Sequence, residues 1–398
     1  MNPVTLADGV YWVGVLNPDL RVFDVIMRTA HGSTYNAYLV RGAEKTAVID
    51  AVKHGFEEEF LDHIRALVDP ATIDYVIVNH SEPDHSGGLA ALLEAAPRAR
   101  LVVSRSGEHF VRHILNRDLP LDKVGDGDRL DLGGKTLRFV SAPFLHWPDT
   151  MFTYLEEQRI LFPCDVLGAH YCDERLFDDQ VGDFSTEWRY YFDVIMRPFK
   201  DKMLEALEKI RDWPIDTVAP SHGPILRSDP QRYIELYRAW SREPIHGPGA
   251  RVVVAYVSAY GNTRRMAEAV AAGAQEAGAQ VRLVDAEQGL TPALVDEIEA
   301  ADALLVGSST IVGDAVKPIW DLLNSLTTLR LKGKVGGVFG SYGWSGEAIP
   351  MLEERLKSLK FKLPEPAAKA ILVPTAADLA ACRELGRRIV ARHLEVLR

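Results

Sequence analysis

The chain has 398 residues, a formal net charge of −11 and 47% hydrophobic residues, enough for two domains that each bury a core. The acidic balance without long charge blocks argues against nucleic acid as a partner, and no apolar run approaches the roughly 18 residues of a spanning helix, so no membrane partner is expected. Three cysteines without a C-x-x-C pair exclude a disulfide framework, a zinc ribbon and a fused rubredoxin-type iron site, and the N-terminus lacks a signal peptide; a cytoplasmic location is expected.

The first part is strand-rich. Val10 to Val15, Ser33 to Val40 and Thr46 to Asp50 read as strands, and a helix over Phe56 to Leu67 follows. Tyr75 to Val78 is an apolar strand that runs into NHSEPDHSGG, Asn79 to Gly88, where four metal-ligand types, His80, Glu82, Asp84 and His85, stand in six positions. Residues 80, 82 and 84 share a face if the strand continues. His85 joins them only if the chain turns, which Pro83 and the flexible Ser86-Gly87-Gly88 exit allow. The spacing suits two metals side by side, each taking one imidazole and one carboxylate from this loop. Further strands at Arg100 to Ser104, Leu137 to Val140, Ile160 to Cys164 and Thr217 to Pro220 precede or end in ligand-type residues: His146 in HWPDT, Asp165 after ILFPC, and His222 in APSHGP.

After a helix over Pro230 to Arg242, Glu243 to Ala250 carries two prolines and two glycines and reads as a linker. Beyond it, the apolar strand Val252 to Val257 leads through Ser258, Ala259, Tyr260, Gly261, Asn262 and Thr263 into a helix over Arg264 to Ala277. Strand, hydroxyl-and-glycine loop and helix form an anion site, because backbone N–H groups and the helix dipole favour a phosphate there. The loop fits neither G-x-G-x-x-G nor the P-loop pattern. Strands at Val281 to Val284, Ala303 to Gly307, Gly336 to Gly340 and Ala370 to Val373, with a last helix over Ala376 to His393, complete a doubly wound parallel sheet. Its ligand belongs beyond the carboxyl ends of the first and third strands, where the third carries Ser308 to Gly313, including Ser309, Thr310, Ile311 and Val312. The fourth strand leads into Ser341, Tyr342, Gly343, Trp344, Ser345 and Gly346.

The succession H-x-E-x-D-H, a histidine 61 residues after His85, an aspartate 19 further and a histidine 57 beyond that resembles the flavodiiron proteins, or A-type flavoproteins. The same order occurs in metallo-β-lactamase-fold hydrolases, which usually bind zinc through H-x-H-x-D-H; Glu82 is the departure, and a carboxylate in place of an imidazole favours iron. The resemblance implies that iron one takes His80, Glu82 and His146, iron two takes Asp84, His85 and His222, and Asp165 bridges. Three carboxylates against two ferrous ions leave one charge for a bridging hydroxide to neutralise. His31, His170 and Tyr191 are the candidates for lining the metal pocket. The second half resembles flavodoxin: its first loop is expected to hold the FMN phosphate, its second to meet the isoalloxazine ring, and its third to present Trp344 or Tyr342 for stacking.

The fold expected is a metallo-β-lactamase-like αββα sandwich over 1–248 followed by a flavodoxin-like α/β domain over 249–398, the minimal two-domain form. The cofactors implied are two iron ions and FMN. The activity implied is reduction of dioxygen to water, of nitric oxide to nitrous oxide, or both. A zinc hydrolase with a regulatory flavin domain is the competing reading, and metal content separates the two. The resemblance further implies an external electron donor, such as rubredoxin or a flavin- or NADH-linked reductase, and a head-to-tail homodimer or a dimer of dimers.

Overall fold

A computed structural model describes residues 2–242, 249–289 and 291–396, the last three without side-chain detail. The chain divides into two compact units, 1–242 and 243–398; the expected linker falls mainly on residues 243–248, outside the described residues. Among the described residues no helix is long and apolar enough to cross a membrane.

The first unit is an αββα sandwich. One sheet orders its strands as Val4–Ala7, Val10–Trp12, Tyr38–Arg41, Thr46–Ile49, Tyr75–Val78, Arg100–Ser104 and Leu121–Val124. The first four pair antiparallel and the rest parallel. The second sheet orders Arg129–Asp131, Thr136–Ser141, Met151–Leu155, Ile160–Phe162 and Thr217–Val218. Trp12, Tyr38, Ile77 and Val102 of one sheet pack with Leu137, Phe139, Met151 and Phe162 of the other. On the outer faces, Phe60, Ile64, Leu89 and Leu92 cover the first sheet, while Trp188, Met203, Leu207 and Tyr237 cover the second. Both faces of each sheet are thus buried, which is why strands such as Tyr75–Val78 read as unbroken apolar runs.

Two expected strands are broken. Val10 to Val15 splits into Val10–Trp12 and Val15–Asn17, and Ser33 to Val40 into Ser33–Tyr35 and Tyr38–Arg41. The second break has a use. Asn36 leaves the ladder, its amide N–H donates to Ser221 O (2.8 Å), and its side chain donates to Pro220 O (2.8 Å) and Gly223 O (3.0 Å). Those bonds tie the break to the loop carrying His222, and Trp12 Nε1 donates to Asn36 Oδ1 to hold the amide in place (2.8 Å).

The second unit is a doubly wound sheet ordered Gln280–Asp285, Arg251–Tyr256, Ala303–Ile311, Val335–Tyr342 and Ala368–Ile371, all parallel, with the short Asp314–Ala315 strand antiparallel to the third. The fifth strand ends two residues earlier than expected: Leu372 takes φ +53, and Ile371, Leu372 and Val373 stand about 60% exposed. Two apolar layers cover the sheet, one around Ile298, Ile319 and Leu352 and the other around Met266, Val270 and Ile389.

Candidate metal centre and flavin pocket

The strand Tyr75–Val78 delivers its chain end to the seam between the two sheets. Asn79 anchors it there: its amide N–H donates to Asp50 Oδ1 (2.7 Å), its side chain donates to Phe162 O (3.2 Å) and accepts from Thr153 Oγ1 (2.7 Å). The turn needed to bring His85 round is a one-turn helix, Pro83–Ser86, with proline at its first position, where a missing N–H costs nothing. Gly87 follows because a Cβ there would lie 2.3 Å from the His54 backbone nitrogen.

Seven side chains from four segments converge at this seam. His80 Nε2 and His146 Nε2 lie 3.1 and 3.0 Å from Glu82 Oε2, and 3.5 and 3.2 Å from Asp165 Oδ2. The other oxygen, Asp165 Oδ1, is 3.1 Å from His85 Nε2 and 3.3 Å from His222 Nε2, while the Asp84 oxygens lie 3.3 and 3.1 Å from those same nitrogens. The result is two ligand sets that share one carboxylate. Each set lies within the few ångströms a single cation spans. Both oxygens of Asp84, both nitrogens of His85 and Asp165 Oδ1 are buried with no hydrogen-bond partner, an arrangement that costs several kcal/mol unless a cation satisfies it. A mixed imidazole and carboxylate set with three anionic members fits a pair of iron ions.

The electrostatics agree. Burial acts to strip the proton from His146 and His85, yet the carboxylates Asp165, Glu82 and Asp84 outweigh it: His146 is pushed up to about 10 and His85 well above the usual imidazole range. Against the upward pull of burial, His85 and His146 hold Asp165 well below the ordinary carboxylate range. The cluster is therefore a strong trap for positive charge. Cys164 Sγ also lies close to His85 and Asp165, and burial pushes its thiol up well above the usual range.

The orienting groups were not legible as such. Asp149, buried at 2% exposure, sits with Oδ1 3.3 Å from His80 Nδ1 while Oδ2 accepts from the Ser81 amide (2.8 Å), so it aims the ring and its Nε2 at the cluster. His222 Nδ1 donates to Thr34 O (2.7 Å), which turns Nε2 toward Asp84 and Asp165. The only cue for Asp149 was its place three residues after His146. Asp149→Ala is expected to weaken metal retention by about 10- to 100-fold with the fold intact, as competition with a chelator measures.

His170 and Tyr191 stand beside the second set. The ring centroid of His170 is 5.0 Å from that of His222 and 5.0 Å from that of Tyr191, and Ser33 Oγ lies 2.8 Å from its Nδ1. Burial, reinforced by His222, pulls its pKa well below the usual range and keeps the ring neutral; its Nε2 and the Tyr191 hydroxyl are both buried without a partner. His31 does not share this placement. Its side chain is 54% exposed, its Nε2 pairs with Glu187 (3.2 Å) and its ring lies against Tyr171, because its strand bridge to Tyr171 turns it outward. Asp24, exposed on the hairpin after Phe23, has its pKa raised by partial desolvation and then by Glu82 and Asp84.

In the second unit a cavity of about 530 Å³ opens at the carboxyl end of the sheet. Ala259, Tyr260, Asn262, Ser309, Thr310, Ile311, Val312, Ser341, Tyr342, Gly343 and Trp344 line it, together with Leu372, which was not foreseen. Ser258, Gly261, Thr263 and Gly346 support it from behind or beside. Gly261 caps the helix Asn262–Glu276 at φ +81. Thr263 is fully buried, its hydroxyl bonded to those of Ser341 (2.8 Å) and Ser309 (3.1 Å), and so ties the three loops together. A Cβ on Gly346 would press the Tyr342 ring at 3.1 Å. Ser258 Oγ and Thr310 Oγ1 are buried without partners, while Tyr260 and Trp344 are each 91% exposed. Unpaired hydroxyls at a helix N-terminus beside two bare aromatic rings fit a flat phosphorylated cofactor such as FMN.

Residues 34–223 match the ODP family of beta lactamases, and residues 254–386 match flavodoxin. Over 400 residues the chain is 45% identical to the type A flavoprotein fprA of Rhodobacter capsulatus, covering 99% of this chain and 92% of that one. It is 40% identical over 399 residues to a nitric oxide reductase of Moorella thermoacetica, covering 98% and 99%. Among solved structures, rubredoxin oxygen:oxidoreductase from Desulfovibrio gigas superposes with a TM-score of 0.73 at 30% identity, covering 99% of both chains.

Proposed function

The chain belongs to the flavodiiron family, the A-type flavoproteins, and we propose how its residues serve that family's chemistry: His80, Glu82 and His146 hold one iron, Asp84, His85 and His222 the second, and Asp165 bridges. The protein is an oxidoreductase that reduces dioxygen, nitric oxide or both, with a non-haem diiron centre and FMN as its cofactors. When bound, these groups together hold four electrons, which is what dioxygen needs to become water, and twice what couples two nitric oxide molecules into nitrous oxide and water.

The chain's own residues do the rest. Asp149 and the Thr34 carbonyl fix the His80 and His222 rings. The neutral His170 and the Tyr191 hydroxyl, both short of a hydrogen-bond partner, are placed to bind the oxygen of a gas-derived ligand beside His222. The segments 258–263, 309–312 and 341–346, strand ends, loops and the first helical turn, seat the flavin. The observation that carries the assignment is the division of Asp165, one oxygen toward each ligand set. A zinc hydrolase is disfavoured by the same donors, since Glu82 supplies a hard anion where such enzymes use an imidazole. Iron and zinc analysis, followed by separate dioxygen and nitric oxide consumption assays on one anaerobically reduced preparation, tests the reading. Two irons per chain and turnover of at least one gas are expected; zinc in the site and no gas consumption would reject it.

Electrons come from an external donor, such as rubredoxin or a flavin- or NADH-linked reductase, and the working unit is a head-to-tail homodimer, alone or paired into a dimer of dimers. Domains of about 250 and 150 residues have radii of gyration of roughly 18 and 15 Å, so a twofold pairing is the simple way to set one chain's flavin against the other's irons. Exposed apolar groups support it on each unit separately: Val25 (92%) and Ile26 (73%) at the hairpin tip beyond Phe23, whose ring lies on His170, and Val312 (93%) and Trp344 around the flavin pocket. Co-expressing an Asp165→Ala chain with a Gly261→Val chain is expected to restore about a quarter of full activity through mixed dimers. Mixed dimers no more active than either parent would show that electrons pass within one chain.

A further inference from the structure

The residue after His146 is a tryptophan, and its placement bears on what happens when electrons run out. The Trp147 ring stands edge-on to the fully buried His80 ring, centroids 5.2 Å apart at 77°. Phe110 packs against it at 5.8 Å. Unlike His80, Trp147 is partly exposed.

Reduction of dioxygen needs four electrons, and a donor that delivers them singly will sometimes leave the site one short, with a strong oxidant held among its own ligands. Among aromatic side chains, indole and phenol are the ones that can supply that electron. Tyr35 and Tyr191 also lie near the cluster, at 5.8 and 6.1 Å from the His222 ring. A phenol must shed its proton as it is oxidised: the Tyr191 hydroxyl is buried with no protein group to accept that proton, and the Tyr35 hydroxyl is buried, with Asn17 Nδ2 as its side-chain partner. Trp147 is only half-buried, so a proton released by its indole has a route to solvent.

We propose that Trp147 is a protective electron donor to the metal pocket, supplying the missing electron when a reduced chain meets dioxygen one electron short. The balance is one dioxygen, three cofactor electrons, three protons and one indole giving two waters and one neutral indolyl radical. An electron from the external donor protein, with one proton, then restores the indole. The proposal rests on the diiron reading above.

The test uses the holoenzyme, reduced anaerobically with three or with four equivalents per chain, mixed with dioxygen, freeze-quenched and examined by electron paramagnetic resonance. With three equivalents, wild type is expected to give a radical whose spectrum narrows when the protein carries ring-deuterated tryptophan; with four, the signal falls at least tenfold. Trp147→Phe is expected to lose that signal and Trp147→Tyr to replace it with a tyrosyl one, both holding two irons and consuming dioxygen at near wild-type initial rate under excess donor. Under repeated donor-limited turnover, Trp147→Phe inactivates several-fold faster than either oxidisable form. A signal indifferent to ring deuteration, or one that survives in Trp147→Phe, overturns the proposal while dioxygen consumption upholds the diiron reading. A wild-type protein that holds two irons but consumes no dioxygen overturns the proposal together with dioxygen as a substrate.

Discussion

Asp165→Ala is expected to lose iron, to keep FMN, and to lower gas reduction by more than about 100-fold, beyond the 10- to 100-fold typical of removing a mere orienting group. Asp165 is 1% exposed and presents one oxygen to each ligand set. Without it the carboxylates number two against the four positive charges of a ferrous pair, and four imidazole nitrogens converge with one less anion between them. Asp165→Asn keeps the shape and removes the charge, so it should hold iron better than alanine yet worse than wild type. Metal analysis beside the flavin absorbance reads both sites at once. Two irons and full activity in Asp165→Ala would remove the basis for the bridging assignment.

Gly261→Val is expected to expel the flavin while leaving two irons in the first unit. The loop turns into its helix at Gly261 with φ +81, a conformation that costs an L-residue roughly 1–2 kcal/mol and a β-branched one more. A Cβ there meets no protein atom within 4 Å, so the second unit itself tolerates the added volume. The valine instead intrudes on the space before the helix N-terminus, where the phosphate is expected. Gly261→Ala, with similar strain and less bulk, should bind FMN with intermediate affinity. Loss of the yellow chromophore, with the unfolding transition still cooperative and lowered only by that strain, is the expected result; an unaltered flavin spectrum would place the cofactor elsewhere.

The seven side chains that meet at the seam were legible because each follows or ends a strand whose apolar run is easy to read, and because chemistry restricts the residue type there. The loops of the second unit were legible for the same reason. What escaped was the support. Asp149 and Thr34 act only through partners distant in sequence, His80 at 69 residues and His222 at 188, which local pattern does not display. The split at Asn36 hides inside an apolar stretch, since an asparagine in a strand looks like a tolerated outlier until its amide meets Pro220 and Gly223. The sharp exits at Asp50 and Cys164, with φ +57 and +53, carry no glycine to announce them. His31, expected at the pocket from the resemblance, instead has its ring against Tyr171 and its Nε2 beside Glu187, a placement that depends on residues far along the chain.

The proposed function requires that electrons stored on FMN and two irons be spent together on one gas molecule or pair. Its most direct measurement is a single turnover: protein carrying two irons and one FMN, reduced anaerobically with four electrons per chain, is mixed with one equivalent of dioxygen or two of nitric oxide, and flavin absorbance, residual gas and peroxide are followed. The expected result is loss of at least one of the two gases in that ratio, without free peroxide, and with flavin reoxidised in step in the dioxygen case. Fully loaded, fully reduced protein that leaves both gases untouched, or that releases one peroxide for every dioxygen, would contradict the account.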